Sequence, residues 1–367
     1  MTDALAAVGR TGSGYDYGNA RVRARRAELF DAATYERLLG RDVDWLLAAL
    51  ADTPYRPDVE AALPRYRGLS ALHRALSANL VRELRAVAGF YGGRPREGIE
   101  LLLSDWDVHN VLTIVRALAR RRPSEEILPL LVPAGALDEV AAGELARQPG
   151  LRPAIELMAT WAVPTPGVAR AALGALPAFE QTGELEALEG AVIRAHARAA
   201  RRTVEREGWM SEALGHFLRE RVDRRNVLVA LRAREARLRG EPPWGPEDPY
   251  LPGGRGAEAS LAALAGTDER QDVAVTLARL DPPAGWREPF ERWAEHGELT
   301  RLERDLERAA VRRAVSMLWS GDPLGIDVPI AYVVAKENEV RNLRLLGYGA
   351  DRGLSIDALR ELVVAPW

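Results

Sequence analysis

The sequence reads as an all-α protein built from three tandem helical-bundle repeats. Three observations point there. Apolar residues recur at three- and four-residue steps through most of the chain, in segments dominated by the strong helix formers Ala, Leu, Arg and Glu. Runs of alternating β-branched residues are scarce, and no strand–helix–strand rhythm appears. The short exception, Ile326 to Val334, contains Pro329 and leads straight into a helical pattern. Finally, one helical phrase is written twice: DVHNVLTIVRA from Asp107 to Ala117, and DRRNVLVALRA from Asp223 to Ala233.

The second copy stands 116 positions after the first, so a third is expected around Asn342. It is there, in ENEVRNLRLLGYG. Glu339 replaces the aspartate three residues before the asparagine, and Leu343 replaces the valine. Arg116 and Arg232 have no counterpart, because Tyr348 occupies that place. Other phrases keep nearly the same interval. GELEALE begins at Gly183 and GELTRLE at Gly297; each leads into an Arg- and Ala-rich helix, AVIRAHARAARR from Ala191 and AAVRRAV from Ala309. NARVRARRA, from Asn19, looks like the first copy of that helix. Val132-Pro133 and Leu251-Pro252 each precede a glycine and a fresh helical run. The expected segments are 1–134, with a flexible tail over 1–15, then 135–252 and 253–367. The Pro- and Gly-rich loop 240–256 is the clearest boundary. Units of this length exceed the ~20–50 residues of short-period solenoids and fit three small helical domains made by triplication.

The repeated helix is expected to begin near Asp105 and to be closed by Pro123. Val108, Val111, Leu112, Val115, Leu118 and Ala119 form one apolar stripe. Asn110 falls nearly opposite, beside Trp106, Asp107 and Ile114, and Asn226 lies with Val222, Asp223 and Ala230. Such a helix suits a place between two layers. The recurring asparagine, Asn110, Asn226 and Asn342, has two readings. It is a buried amide bonding a neighbouring loop or helix end, or a polar contact repeated about a pseudo-threefold axis. Arg116 and Arg232, on another side, read as solvated or acid-paired.

No chemistry emerges from the residue types. The chain has no cysteine, which removes disulfides, thiolate nucleophiles and zinc–thiolate sites. His73, His109, His196, His216 and His296 never stand three or four residues apart, so no paired helical metal ligands arise. Lys336 is the single lysine, so no phosphate-binding Gly-Lys-Ser/Thr exists, and GRTGSG (Gly9 to Gly14) follows no strand. No cofactor or metal is expected. Net charge is -3, from 50 basic and 53 acidic residues, which argues against a bulk nucleic-acid binder. The basic runs ARRR (119–122) and ARAARR (197–202) suit helix C-termini or a docking surface for an acidic partner or lipid headgroups; no aromatic residues interleave them for base stacking. No window approaches ~18 uninterrupted apolar residues, so no membrane span is expected. A large helical triplication without a catalytic constellation reads as an interaction or structural part.

Four phrases in order resemble one family: YGNARVRA (Tyr17 to Ala24), DTPY (Asp52 to Tyr55), DVHNVLTIVRA, and NEVRNLRLL (Asn338 to Leu346). They resemble the C subunits of the V/A-type (vacuolar/archaeal-type) rotary ATPases, counterparts of the d subunit of eukaryotic complexes, from residue 17 to about 362. The N-terminal extension and the 240–256 loop depart from the pattern. The resemblance implies a funnel of three helical domains with approximate threefold symmetry on the cytoplasmic face of the membrane, peripheral to it. Its cavity would receive the central shaft subunits (D/F-type), and its base would rest on the proteolipid ring. It implies a coupling part that catalyses nothing and passes torque between ATP chemistry and ion transport, expected to be proton transport. Such a part needs charges that set register at its interfaces. Arg21, Arg23 and Arg25, then Arg194 and Arg198, then Arg312 and Arg313 are the candidate interface residues. The alternatives are a free-standing helical scaffold that binds protein or nucleic-acid partners, and an enzyme with an unrecognised site between domains.

Overall fold

The structure is a computed structural model that describes residues 14–206, 212–241, 249–256, 258–279 and 282–365. Residues 1–13 of the tail expected over 1–15, with most of its GRTGSG run, and the middle of the 240–256 loop lie outside the described residues.

Among the described residues there are eighteen α-helices and no strand. After α1 (Asp16–Arg26), one order of lengths recurs: three shorter helices, one of about twenty residues, then a longer one. The first round is α2 (Ala32–Leu38), α3 (Val43–Leu50), α4 (Arg56–Ala62), α5 (Gly68–Gly89) and α6 (Gly93–Ala119). A single turn, α7 (Ser124–Ile127), follows. The second is α8 (Glu139–Ala146), α9 (Leu151–Trp161), α10 (Pro166–Thr182), α11 (Glu186–Arg206) and α12 (Glu212–Leu238). The third is α13 (Glu258–Gly266), α14 (Arg270–Arg279), α15 (Arg287–His296), α16 (Leu299–Ser320) and α17 (Asp327–Arg352), with α18 (Ile356–Leu362) at the end. The last helices of the rounds, α6, α12 and α17, run to 27, 27 and 26 residues and carry Asn110, Asn226 and Asn342.

Local chemistry explains the boundaries. Asp31, Asp42, Thr165 and Ser355 cap helices by accepting from backbone N–H groups in the first turn. Gly68, Gly183 and Gly297 hold φ of 51°, 75° and 77° at the entrances to α5, α11 and α16, a conformation that costs other residues strain. This places HRALSANLVREL of α5, rather than NARVRARRA, in the position of the Arg- and Ala-rich helices. NARVRARRA forms α1, which stands outside the recurring order and packs on α17. The repeated helix begins at Gly93, twelve residues before the expected start, because Pro95 falls in the first turn, where it is tolerated, and the lone Gly98 does not interrupt the helix formers around it. It stops at Ala119, just ahead of Arg121 at φ 55°. Ile326 to Val334 forms the start of α17, with Pro329 in the first turn, where an N–H has no intrahelical partner.

The chain forms two compact units. Unit 1 comprises Met1–Trp106, Pro129–Asp138 and Ala314–Trp367. Its centre is α5, whose Leu72, Leu76, Leu80, Leu84 and Val87 are buried at three- and four-residue steps against α3, α4 and α17. Each such side chain contributes roughly 1.5–3 kcal/mol of transfer free energy. A Cβ on Gly347 would come within 2.3 Å of Leu72, so glycine is what allows α17 to lie this close to α5. Unit 2 comprises Asp107–Leu128 and Glu139–Arg313. There α10 packs on α9 and α11, α12 on α13, and α14 on α15. A core of Leu231, Leu264, Trp286, Phe290, Trp293 and Leu306 joins α12 to α13–α16. In both units the last helix of one expected segment packs on helices of another: α12 on α13, and α17 on α5. No helix among the described residues is long and apolar enough to cross a membrane.

Candidate functional site

The recurring asparagines act on backbone. Asn342 donates from Nδ2 to the Val364 carbonyl (2.8 Å) and accepts at Oδ1 from the Val364 N–H (3.1 Å). Asn226 treats Leu251 identically, at 2.8 and 2.7 Å. A carboxamide offers one donor and one acceptor side by side, so it pairs with one extended residue as a neighbouring strand would. Each of these two asparagines thereby ties the extended segment after its own helix back onto that helix. Asn110 is fully buried on α6.

The carboxylate three residues earlier also takes backbone. Asp223 Oδ1 accepts from Arg255 N–H at 2.7 Å, and burial pushes its pKa up. Glu339 Oε2 accepts from Phe30 N–H at 2.6 Å. Its other oxygen accepts from Tyr55 Oη (2.7 Å) and Lys336 Nζ (2.8 Å), and Lys336 Nζ also donates to Tyr55 Oη at 2.9 Å. Asp107 is buried at the matching place on α6. The only lysine in the chain is thus 4% exposed and lies 4.1 Å from the centre of the Tyr55 ring. Burial, then the Glu339 charge, raises the Tyr55 pKa well above its ordinary value.

A second cluster surrounds Glu83 on α5 in the same unit. Arg25 pairs with its Oε2, Arg82 with its Oε1 at 2.9 Å, and Tyr332 donates to it at 3.1 Å. Arg82 reaches on to Asp58 at 2.9 Å, as does Asn79. Asn19 of α1 donates to the carbonyls of Pro323 and Gly325, both at 2.9 Å, and accepts from Tyr91 Oη at 2.7 Å. Residues from three of the four family-like phrases, Asn19, Tyr55 and Glu339, therefore hold unit 1 together.

Arg116 grips Glu189 through two hydrogen bonds of 2.8 and 2.7 Å, and Arg232 reaches Glu303 at 2.7 Å. Both acids sit six residues after the left-handed glycines Gly183 and Gly297. The residue six after Gly68 is Arg74, and the arginine's own place on α17 is Tyr348; both members of the pair have changed.

The seven candidate interface arginines fall into two groups. Arg25 and Arg313 are half-buried and paired internally, with Glu83 and with Glu220 (2.6 Å). Arg21, Arg23, Arg198 and Arg312 are exposed, and Arg194 is half-buried. Arg21 donates to Tyr17 Oη at 2.8 Å and stacks 4.3 Å from the Phe90 ring. Sequence reasoning does not single out Glu83 or Glu220, and it meets Tyr55 only as the last residue of the DTPY phrase. Lys336 also carries a signal, being the sole lysine in a chain that otherwise uses arginine.

These polar groups bind backbone and one another. They define a protein whose special residues fix architecture. Residues 18–362 match the family model described as ATP synthase (C/AC39) subunit, and the chain belongs to that family. It is 29% identical to the C subunit of the V-type ATP synthase of Deinococcus radiodurans, over 96% of this chain and 91% of that one. It is 28% identical to the C subunit of the A-type ATP synthase of Haloferax volcanii (96% and 98% covered). It is 29% identical to the C subunit of the V-type ATP synthase of Thermus thermophilus (96% and 99% covered).

Proposed function

We propose that the chain is a non-catalytic coupling component of a V/A-type rotary ATPase. In this reading it is a socket that receives the central shaft, rests on the membrane proteolipid ring at the cytoplasmic face, and passes torque between them for ion transport. The observation that carries it is the recurring order of helix lengths, each round ending in a long helix with the same asparagine. That order supports three equivalent segments, 1–134, 135–252 and 253–367, arranged as a funnel with approximate threefold symmetry. The packing of α12 on α13 and of α17 on α5 fits segments that interlock, each lending its last helix to another. Interlocked helices resist shear better than beads on a string, and torque transmission requires that. The exposed Arg21, Arg23, Arg198 and Arg312 and the half-buried Arg194 are the candidates for keying register.

The decisive experiment is affinity capture of the chain, expressed in its own host, from gently solubilised membranes, with mass spectrometry and an ATPase assay on the same fraction. Shaft and proteolipid subunits should co-purify with ATPase activity. Elution of the chain alone from the soluble fraction would favour the free-standing scaffold. Deleting the chain should leave ATP hydrolysis by the head and abolish its link to ion transport; full transport without it would refute the coupling role.

A further inference from the structure

In unit 1 two arginines meet two carboxylates: Arg25 and Arg82 spend hydrogen bonds on Glu83 and Asp58. Unit 2 holds a cluster of the opposite balance, between α15 and α16. Its buried carboxylate, Asp305, has Arg292 Nη2 at 3.4 Å and Arg308 Nη1 at 3.7 Å. Both distances are longer than a good N–H···O hydrogen bond. Arg304 stands one turn before Arg308 on α16, and Arg312 one turn after it, a spacing at which like charges repel. The Nε–H groups of Arg292 and Arg304 are buried and have no hydrogen-bond partner. Burial lowers the Arg308 pKa; Asp305 opposes that shift, and Arg312, Arg304 and Arg292 reinforce it. Of the neighbouring acids, Glu303 pairs with Arg232, Glu291 with Arg287, and Glu295 lies beside His296. Glu288 reaches Arg292 at 3.6 Å.

The recurring order of helices accounts for the imbalance. Glu83 stands fifteen residues after Gly68, the left-handed glycine at the entrance to α5; fifteen residues after Gly297, the same place on α16 is Arg312. Thus α16 has a cation where α5 has the carboxylate that balances its arginines. Arg292, Arg304, Arg308 and Arg312 meet Asp305 and Glu288, which leaves two positive charges and unspent N–H donors. Arg292 and Arg308 expose 38% and 28% of their side chains, so a dissolved anion reaches them. A dianion with several acceptor oxygens fits this charge and this donor set. A phosphate or phosphomonoester near neutral pH is such a species, and guanidinium forks match its oxygens. A carboxylate or a lipid phosphodiester brings a single charge.

We propose that Arg292, Arg304 and Arg308 form a binding site for a dianionic phosphate group, inorganic phosphate or a phosphomonoester, on the α15–α16 face of unit 2.

The test is calorimetric titration of the full chain with inorganic phosphate against a chloride background of constant ionic strength. One saturable site per chain is expected, weaker at higher salt. Arg304→Gln should weaken it by about tenfold or more, as the loss of a charged hydrogen bond does. Arg170→Gln, the same charge change at an exposed position of α10, should leave it unchanged. A second readout needs no variant: in ¹⁵N NMR of the unaltered chain, the Arg292 and Arg304 Nε–H resonances should shift along the same binding curve. A further arm presents phosphatidylglycerol vesicles, whose phosphodiester carries one charge; they should bind the chain no better through Arg304 than through Arg170. No saturable phosphate binding, equal affinity in Arg304→Gln, or Nε–H resonances that ignore phosphate would each overturn the site. Vesicle binding that Arg304→Gln abolishes, with no binding of free phosphate, would assign the cluster to a lipid surface instead.

Discussion

Helices α12 and α17 carry the same phrase, in different units, and they have kept and changed different things. Both keep the asparagine and its grip on one extended backbone residue, Leu251 or Val364. They differ in the polar trio beside it. At α17 the trio is Glu339, Lys336 and Tyr55, and its carboxylate has a backbone N–H, a phenol and an ammonium as partners; at the matching places α12 carries Asp223, which takes the Arg255 N–H, and Glu220, which pairs with Arg313. The contrast separates two jobs. The amide clamp specifies path, because a carboxamide presents a donor and an acceptor in one plane at the spacing of a backbone residue. The trio beside it sets local stability and has been free to diverge.

The largest effect should come from the completed trio. Glu339→Ala leaves the Lys336 ammonium buried without a counter-charge and frees Phe30 N–H, so unit 1 should lose about 3–5 kcal/mol. Asp223→Ala removes one backbone hydrogen bond but also a carboxylate whose ionisation burial already penalises. Its loss should be about 1–2 kcal/mol. Denaturant titration of both variants provides the comparison. Equal losses would mean that Lys336 adds nothing to unit 1.

Next in size are the clamps themselves. Asn342→Ala strips two hydrogen bonds from a buried Val364, for about 2–3 kcal/mol, and Asn226→Ala strips two from a half-buried Leu251, for about 1–2 kcal/mol. Amide hydrogen exchange isolates the clamp from general destabilisation. The Val364 and Leu251 amides should lose protection in their own variant before the helices around them do. Protection that persists would show that packing, rather than the amide, holds those segments.

Why the clamp is only half visible in the sequence follows from the distances involved. The all-helical class and the repeated asparagine stand out because local periodicity and spacing are written along the chain. The X-Pro steps at Val132 and Leu251 are visible too. The link from Leu251 to the asparagine is not, because Asn226 and Leu251 are 25 residues apart and nothing local encodes that contact. The helix entered by Gly68 escapes recognition as a copy of α11 and α16 because the GELxxLE phrase has become GLSALHR, with Arg74 where the others carry a glutamate; its entrance geometry survives. Lys336 and Glu83 look like ordinary charged residues on helical segments, since only folding reveals that a charge is buried.

Acidity offers a smaller and directional test. Burial raises the pKa of Asp223 and of Glu220. A carboxyl with a raised folded pKa stabilises fully only below its unfolded value, about 4, and that contribution is lost as pH rises through the folded value. Unit 2 should therefore gain stability relative to Asp223→Asn as pH falls from neutrality through the raised values. The margin between the two proteins should narrow again as pH rises. A constant margin from about pH 7.5 to about pH 4.5, followed by denaturant midpoints, would show that the buried carboxyls titrate normally.

The smallest effect concerns the exposed pairs and sharpens the repeat itself. Arg232 and Glu303 are 42% and 46% exposed, so their coupling in a double-mutant cycle should be at most about 1 kcal/mol. Unit 1 has Tyr348 and Arg74 at the corresponding places. If the three rounds are equivalent, Tyr348→Arg alone should gain nothing, because it adds a cation to a place that pairs with a cation. Combined with Arg74→Glu it should recover a coupling of the same sign and similar size, about 0.3–1 kcal/mol. Additivity of the two changes would mean that α5 and α17 do not meet in the register that joins α16 to α12, and the equivalence of the rounds would end at the asparagine.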